Sequence, residues 1–149
     1  MDFRRKLFHD IPPWVSDDAV FFVTICCHEK MVNTIANERV ATVVAESLLF
    51  YQNQKKWWVH LWLNMPDHVH GLLSLHKETD FTKIIASWKR FVARKAGFKW
   101  QLDFFDHRIR SDESLEEKEN YILNNPVRAG LVAEQREWPY VWVNGIRRN

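Results

Sequence analysis

Residues 57–75 contain two strand-like runs that are separated by only three residues. The runs WWVHLWLN and HVHGLLSL are rich in the aromatic and branched side chains that favour strands, and the intervening Met65-Pro66-Asp67 has the composition of a tight turn. A connection this short joins antiparallel neighbours, and its proline blocks continued pairing. The stretch therefore predicts a β-hairpin, around which any fold of this chain has to be built.

Two histidines lie one residue apart at the start of the second run. Successive side chains of a strand point to opposite faces, so His68 and His70 are expected to stand side by side while Val69 faces away. Two neutral imidazoles placed in this way can hold one metal ion. The alternative is a pair of surface histidines on a half-solvated strand, and only a third ligand elsewhere in the chain would decide between the two.

The remaining elements are indicated by apolar spacing and by capping residues. AVFFVTICCHE is typical of a buried strand, and apolar residues recur at helical spacing from Ile35 to about Gln52. A second helix is predicted in residues 79–97, with Thr79 or Asp80 as its cap and Gly97 as its stop. WQLDFFDHRIR is then expected to form strand and loop.

A third helix is predicted from residue 114 onward. Ser114 and Glu117 have the spacing of a capping box, and Pro126 is expected to end the helix because a proline pushes the preceding residue out of the α region. A turn is predicted at Arg128-Ala129-Gly130, followed by one more short element.

This order of elements is that of an α+β sandwich, an antiparallel sheet with helices on one face and the other face open for a site. Residues 1–149 are expected to form a single domain, in which residues 1–16 are an irregular basic arm. With 149 residues the chain can bury a core without a structural metal, so a metal at the histidines would serve function.

Composition narrows the class of protein. Cys26 and Cys27 are adjacent in a predicted strand, which suits neither a disulfide nor a C-x-x-C motif and favours a reducing cytoplasm. No apolar run reaches the length of about 20 residues that spans a bilayer, so no membrane partner is expected. The formal charge of +2 decides little, because a nucleic-acid-binding protein needs its cations gathered on one surface.

The third helix could supply the missing ligand. Tyr121 and Asn125 are four residues apart and so share a helical face. If that face lies over the strand from which His68 and His70 emerge, the amide oxygen of Asn125 completes a three-ligand site for Mg²⁺ or Mn²⁺, with Tyr121 beside the ion. Taken singly, Tyr121 could be an ordinary helix-edge tyrosine and Asn125 a C-terminal cap.

With these residues in view, the chain resembles the single-tyrosine HUH transposases, and among them the REP-associated tyrosine transposase branch. MPDHVH is similar to the His-hydrophobic-His motif of the superfamily, and YILNNPVRAGLV to its tyrosine helix and the turn that follows. The flanking stretches DIPPWVSDDAVFFVTICC, WQLDFFDHRIR and WPY resemble the REP-associated branch, and the resemblance extends from about Asp10 to Tyr140. It implies a ferredoxin-like or RRM-like fold whose C-terminal helix carries the catalytic tyrosine. It also implies a metal-dependent endonuclease and strand transferase, located in a bacterial cytoplasm with the nucleoid, that cuts single-stranded DNA at or near REP-like hairpins.

The same resemblance implies a role for each site residue. Tyr121 would be the nucleophile that forms a 5′-phosphotyrosine, and His68, His70 and Asn125 would hold Mg²⁺ or Mn²⁺. The enzyme would act as a monomer or a homodimer, with the monomer favoured. On the residues themselves, the cations expected to bind DNA are Arg4, Arg5, Lys6, Lys83, Arg90, Arg94, Arg108, Arg110 and Arg128. Arg108 and Arg110 could equally form ion pairs with Asp106 or Asp112.

Two other functions remain open on the residues alone. A catalytically silent regulator could bind hairpin DNA with the same fold. An RRM-type RNA-binding module would instead need aromatic side chains on its central strands for bases to stack on. Trp58, His60 and Trp62 alternate along one strand and are expected to share a face, either stacking on bases or packing under a helix.

Overall fold

A computed structural model of the protein describes residues 11–15, 20–109 and 112–148, without the side chains of residues 112–114. Its elements in chain order are β1 (Val20–Cys26), α1 (Glu38–Asn53), β2 (Trp57–Asn64), β3 (His68–Leu75), α2 (Phe81–Ala96), β4 (Phe105–Ile109), α3 (Asp112–Arg128), a 3₁₀ helix (Gln135–Glu137), β5 (Val141–Val143) and β6 (Ile146–Arg147).

The strands form one sheet in the order β4-β1-β3-β2-β5-β6, and every neighbouring pair is antiparallel. The predicted hairpin is therefore its centre, since β2 and β3 pair with each other and are flanked on both sides. The predicted α+β class and antiparallel sheet are confirmed. None of the helices in the described part of the chain is long and apolar enough to cross a membrane.

Each face of the sheet carries its own apolar layer. Val23 and Val69 point into a core cluster shared with α1 and α2. Phe22 and Leu72, which alternate with them, point into a second cluster that includes Ile122 of α3. Two helices thus lie on one face, as predicted, and α3 lies against the other. The prediction that this second face is open is wrong, because α3 packs on it through the second apolar cluster and places its tyrosine there.

The ends of α1 and α2 follow from their capping residues. The Asn37 side chain accepts a hydrogen bond from the Val40 N–H, so α1 begins at Glu38 and not at Ile35. Asp80 caps α2 through the Lys83 N–H, and Gly97 ends it in the left-handed conformation. Both predicted ends of α2 are confirmed.

Pro126 does not end α3, and that prediction is wrong. The helix continues to Arg128, because the missing proline N–H removes only one hydrogen bond while later ones persist. The Ala129 N–H donates to the Asn125 carbonyl and the Leu131 N–H to the Pro126 carbonyl. The turn then follows at Ala129 and Gly130, as expected.

The prediction that Trp58, His60 and Trp62 share a face is also wrong. The register of β2 against β3 shifts between Val59 and Leu61, which marks a β-bulge at His60. Trp58 and His60 lie on the α3 side, where the His60 Nε2 is 2.7 Å from the Ser74 Oγ. Trp62 lies on the opposite side, fully buried under α1 and α2.

The C-terminal tail contains more structure than the one short element predicted. Besides the 3₁₀ helix it adds two strands, and β5 pairs along β2. The Arg147 guanidinium donates to both carboxylate oxygens of Glu38, which ties β6 to the start of α1. Residues 1–10 of the predicted basic arm lie outside the described residues. The side chain of Ser114, the first residue of the predicted capping box, lies outside them as well.

Candidate active site

His68 and His70 stand side by side on β3, on the face that α3 covers. Their ring centroids are 4.7 Å apart and the rings are nearly perpendicular. His70 is buried, whereas the His68 side chain is 23% exposed. The strand alternation predicted for the two histidines is therefore confirmed, and the pair lies at the boundary between core and solvent.

Each imidazole is oriented through its Nδ1 atom. The His68 Nδ1 lies 2.7 Å from the Asp67 Oδ1, and the His70 Nδ1 lies 2.8 Å from the Thr24 hydroxyl. These contacts leave Nε2 of each ring as the nitrogen able to coordinate a metal. At protein metal sites a ligand histidine usually binds a carboxylate, a backbone carbonyl or water through its second nitrogen, and His68 has such a partner in Asp67.

Asp67 is itself held in place by two contacts. Its Oδ2 accepts a hydrogen bond of 2.9 Å from the Met31 N–H, while its Oδ1 faces His68. Partial burial raises the pKa of Asp67, but the hydrogen bonds from His68 and the Met31 N–H outweigh it and lower the pKa overall. Asp67 is thus an ionised carboxylate that fixes the first histidine.

The environment of His70 keeps its ring neutral. Burial lowers the pKa of His70 to about 3, and repulsion from His68 when that ring is protonated, from Arg128 and from Lys118 acts in the same direction. A neutral imidazole has a lone pair to offer a metal, which a protonated one has not. His70 is therefore ready to coordinate a metal at neutral pH.

Tyr121 of α3 lies beside this pair. Its ring centroid is 5.7 Å from that of His70 and 6.1 Å from that of Phe22 on β1, and its side chain is 46% exposed. An exposed phenol resting on a buried ring and a buried imidazole can be reached by a large substrate. The predicted nucleophile and one predicted metal ligand are thus brought together.

Two cations surround the tyrosine. The Arg128 guanidinium lies 4.5 Å from the Tyr121 ring centroid, and its Nη2 donates to the Tyr121 carbonyl. The Lys118 Nζ lies 5.8 Å from the same centroid and 4.8 Å from that of Phe22. Arg128 is among the cations predicted to bind DNA, whereas Lys118 is not. Its position three residues before Tyr121 on a helix is the signal that could have identified it.

Asn125 follows Tyr121 by one helical turn and is half-buried. Among the described residues no hydrogen bond joins its side chain to either histidine, so its role as third ligand stays a prediction. In the same part of the chain, no set of three or more His, Cys, Asp or Glu side chains is placed to hold a metal.

The other predicted DNA contacts are distributed over the molecule. Lys83, Arg90 and Arg94 are exposed on α2, on the sheet face opposite Tyr121. Arg108 pairs with Phe21 on the α2 side of the sheet. Arg4, Arg5, Lys6 and Arg110 lie outside the described residues. Of the predicted cations that are described, only Arg128 contacts the tyrosine.

Comparison with known proteins shows that the chain is similar to transposases. The family described as "Transposase IS200 like" matches residues 20–125. A REP-associated tyrosine transposase of Escherichia coli K12 is 25% identical over 101 residues, 66% of this chain and 61% of that protein. A candidate REP-associated tyrosine transposase of Haemophilus influenzae is 32% identical over 94 residues, 51% of this chain and 53% of that protein. The matched region thus covers less than two thirds of either relative.

Two solved structures share the fold. A REP-associated tyrosine transposase bound to a REP hairpin superposes with a TM-score of 0.75 at 19% identity, covering 89% of this chain and 81% of that one. A candidate transposase from Deinococcus radiodurans R1 gives 0.52 at 18% identity, over 70% of this chain and 88% of that one. At such identities the likeness concerns the fold alone. The family match extends from β1 through the histidine pair to Asn125, and the chain belongs to the IS200-like transposase family.

Proposed function

We propose that the protein is a metal-dependent endonuclease and strand transferase for single-stranded DNA, which cuts at or beside hairpins through a covalent 5′-phosphotyrosine at Tyr121. The observation that carries the proposal is the packing of an exposed tyrosine, 5.7 Å between ring centroids, on a buried and neutral histidine. Packing alone does not explain the position of Tyr121, which leaves nearly half of its surface in solvent.

The donor set suits a divalent cation. His68 and His70 would supply their Nε2 atoms, and Asn125 would add its amide oxygen from the neighbouring helix. Mg²⁺ or Mn²⁺ bound there would polarise the scissile phosphate and offset the charge that develops on it. The two contacts at Nδ1 support the assignment, because they occupy that nitrogen of each ring and leave Nε2 for the metal. At His68 the ionised Asp67 can only accept, so Nδ1 carries the proton and Nε2 is unprotonated.

The chain's own groups would carry the covalent step. The Tyr121 oxygen loses its proton and attacks phosphorus, a new P–O bond forms, and the P–O3′ bond breaks. The leaving oxygen takes up a proton and becomes a free 3′ hydroxyl, while the 5′ phosphate remains on Tyr121. Attack by a 3′ hydroxyl on that phosphotyrosine reverses the step and joins a strand, so that no outside energy source is needed.

Lys118 and Arg128 would hold the phosphate backbone beside the tyrosine. Both cationic groups lie within 6 Å of its ring centroid, on a side chain that is itself accessible. Backbone cations position DNA without reading its sequence. Hairpin DNA is the favoured substrate class because a solved structure with this fold holds a REP hairpin.

The experiment uses single-stranded oligonucleotides that carry the hairpins flanking the protein's own gene. The parent protein and Tyr121→Phe are incubated with them, with Mn²⁺ or with EDTA, and DNA–peptide adducts are sought by mass spectrometry. We expect an adduct on Tyr121 that requires metal, and none with Tyr121→Phe, which should still bind DNA. Tyr140→Phe is the matched control and should form the adduct, because Tyr140 packs against Trp138 and, among the described residues, makes no ring contact with His68 or His70.

The alternatives predict other results. Hairpin binding by the parent without any adduct, in the presence of metal, would identify a silent regulator. An RNA-binding module is disfavoured by the positions of the aromatic rings. In the described residues the exposed phenylalanine, tyrosine and tryptophan side chains are Phe50, Phe105 and Tyr121, and none of them belongs to the central strands β1, β2 or β3.

A further inference from the structure

Phe105 is an exposed aromatic residue on the same face as the candidate active site. It begins the edge strand β4, and 58% of its side chain is open to solvent. It pairs with Thr24 of β1, and Thr24 pairs in turn with His70 of β3. Directly paired residues of antiparallel strands share a face, so Phe105, Thr24 and His70 form one row across the sheet.

The ring of Phe105 is joined to Tyr121 through a buried neighbour. Phe22 lies 6.2 Å from Phe105 and 6.1 Å from Tyr121 between centroids, and both contacts are edge-to-face at 71°. Phe22 is buried, whereas the two rings that flank it are exposed. The arrangement holds two aromatic surfaces beside each other at the surface of the molecule, one of them the proposed nucleophile.

A positive charge completes this surface. The Lys118 Nζ lies 4.8 Å from the centroid of Phe22, the ring that both exposed rings contact. Exposed rings beside cations are the combination by which proteins bind unpaired nucleotides, since bases stack on the rings and phosphates meet the charge. A packing role would instead bury Phe105, as it buries Phe22.

We propose that Phe105 is the stacking platform for an unpaired base next to the phosphate attacked by Tyr121. The inference rests on the proposed function and adds to it a binding subsite for one nucleobase of the single strand. It makes Phe105 a positioning residue, which sets where along the strand the cut falls and takes no part in the bond changes.

The edge position of β4 offers another partner, a second copy of this chain. Exposed strand edges can pair with one another, but charged side chains on the edge oppose it. Asp106 and Arg108 alternate with the aromatic side of β4, and both are exposed. The edge is thus protected against strand pairing, which favours DNA as the occupant of the Phe105 ring.

The test measures binding without cleavage, in the Tyr121→Phe background. Oligonucleotides with the sequences of the hairpins that flank the protein's own gene carry 2-aminopurine at successive unpaired positions. The affinity of each protein for these oligonucleotides and the fluorescence of the bound DNA are compared for Phe105→Ala, Phe105→Leu and Phe105→Trp. Phe50→Ala is the matched control, because Phe50 is 55% exposed but belongs to α1 on the opposite face. Sedimentation velocity measures the oligomeric state of each variant.

We expect Phe105→Ala and Phe105→Leu to weaken binding by about 5- to 150-fold, the range for one stacked base, and to abolish quenching at one position. Phe105→Trp should retain both, and Phe50→Ala should change neither. Unchanged affinity and quenching in Phe105→Ala, with a parent that still forms the Tyr121 adduct, would overturn the inference and leave the proposed function standing. A parent that binds no hairpin would overturn both. A changed oligomeric state with unchanged quenching would assign Phe105 to self-association.

Discussion

The orientation of His68 depends on the residue just before it in the chain. Asp67 reaches His68 Nδ1 with one oxygen and the Met31 N–H with the other, at 2.7 and 2.9 Å. The carboxylate thereby connects the β2–β3 turn to the segment that follows β1. A carboxylate behind a ligand histidine fixes its tautomer and raises its basicity, so Asp67 should affect metal binding without touching the metal.

Replacing Asp67 should therefore weaken the metal site and leave the fold intact. We expect Asp67→Asn to lower the affinity for Mn²⁺ by about 10- to 100-fold, since the amide removes the charge that favours metal binding by His68. Titration with Mn²⁺ followed by electron paramagnetic resonance measures this without DNA or turnover. Asp106→Asn, an equal change of charge on β4, should bind Mn²⁺ like the parent. Equal affinities for parent and Asp67→Asn would show that His68 needs no carboxylate.

His60, which lies outside the candidate site, affects the stability of the fold and not the chemistry of the site. Burial lowers the pKa of His60 to about 3, whereas in the unfolded chain it lies near 6.5. Between these values the unfolded chain binds a proton that the folded protein does not. The free energy of unfolding therefore falls as the pH falls through this range.

His60→Gln should make the protein less sensitive to acid. The amide can still meet the Ser74 hydroxyl, 2.7 Å from Nε2 in the parent, but it does not titrate. From pH 7 to 4.5 we expect the parent to lose roughly 2–3 kcal/mol more stability than the variant, measured by urea unfolding at each pH. Parallel losses in the two proteins would mean that His60 is not the group responsible.

At the scale of elements, the β-bulge at His60 decides what lies over the centre of the sheet. After it, Trp62 faces α1 and α2, directly opposite Gly71 of β3. A Cβ atom at Gly71 would lie 2.6 Å from Cε3 of Trp62. The glycine that follows the histidine pair thus provides the space for the indole ring.

Gly71→Ala should consequently destabilise the sheet next to His70. The methyl group has to displace a fully buried indole, for which we expect a loss of about 1–3 kcal/mol in urea unfolding. Trp62→Phe frees space at the same point and serves as the internal control. The double variant should lose less than the two single variants together, because the changes share one contact. A loss in the double variant equal to the sum of the two single losses would contradict a steric clash between the new methyl group at position 71 and the indole ring of Trp62.

The sequence predicts those elements whose limits are set locally. The ends of β2, β3 and α2 follow from alternation, from the turn at Pro66 and from the caps Asp80 and Gly97. The bulge at His60 could not be predicted, because it depends on how β2 pairs along β3. Strand β5 could not be predicted for a similar reason, as three residues form a strand only when β2 provides an edge.

The candidate site likewise contains residues that the sequence predicts and residues that only the tertiary structure reveals. His68, His70 and Tyr121 could be identified from strand alternation and a family resemblance, both of which concern short stretches. That α3 lies on the opposite face from α1 and α2 is a tertiary fact, and it decides which cations meet Tyr121. For this reason Lys118 could not be identified from the sequence. The sequence also does not show that the cations of α2 lie on one face of the sheet and Arg128 on the other.

At the scale of the whole molecule, the sheet separates two basic surfaces. Lys118 and Arg128 flank Tyr121 on one face, whereas Lys83, Arg90 and Arg94 are exposed on α2 beyond the other. A short single strand of DNA bound at Tyr121 can reach only Lys118 and Arg128. A longer hairpin has to bend around the edge of the sheet to reach the cations of α2, so that the length of the DNA separates the contributions of the two surfaces to binding.

Salt dependence can distinguish the two surfaces. For a single strand, the slope of log affinity against log salt changes by about 0.7 for each phosphate that a protein cation no longer neutralises. The experiment uses an oligonucleotide of about eight nucleotides, a typical length for one binding groove, and proteins that all carry Tyr121→Phe. In this background Lys118→Ala and Arg128→Gln should each reduce the slope by about 0.7. The triple variant of Lys83, Arg90 and Arg94 to alanine should keep the parental slope. A reduced slope in the triple variant would place the DNA on the α2 face as well, and an unchanged slope in both site variants would remove the phosphate from the vicinity of Tyr121.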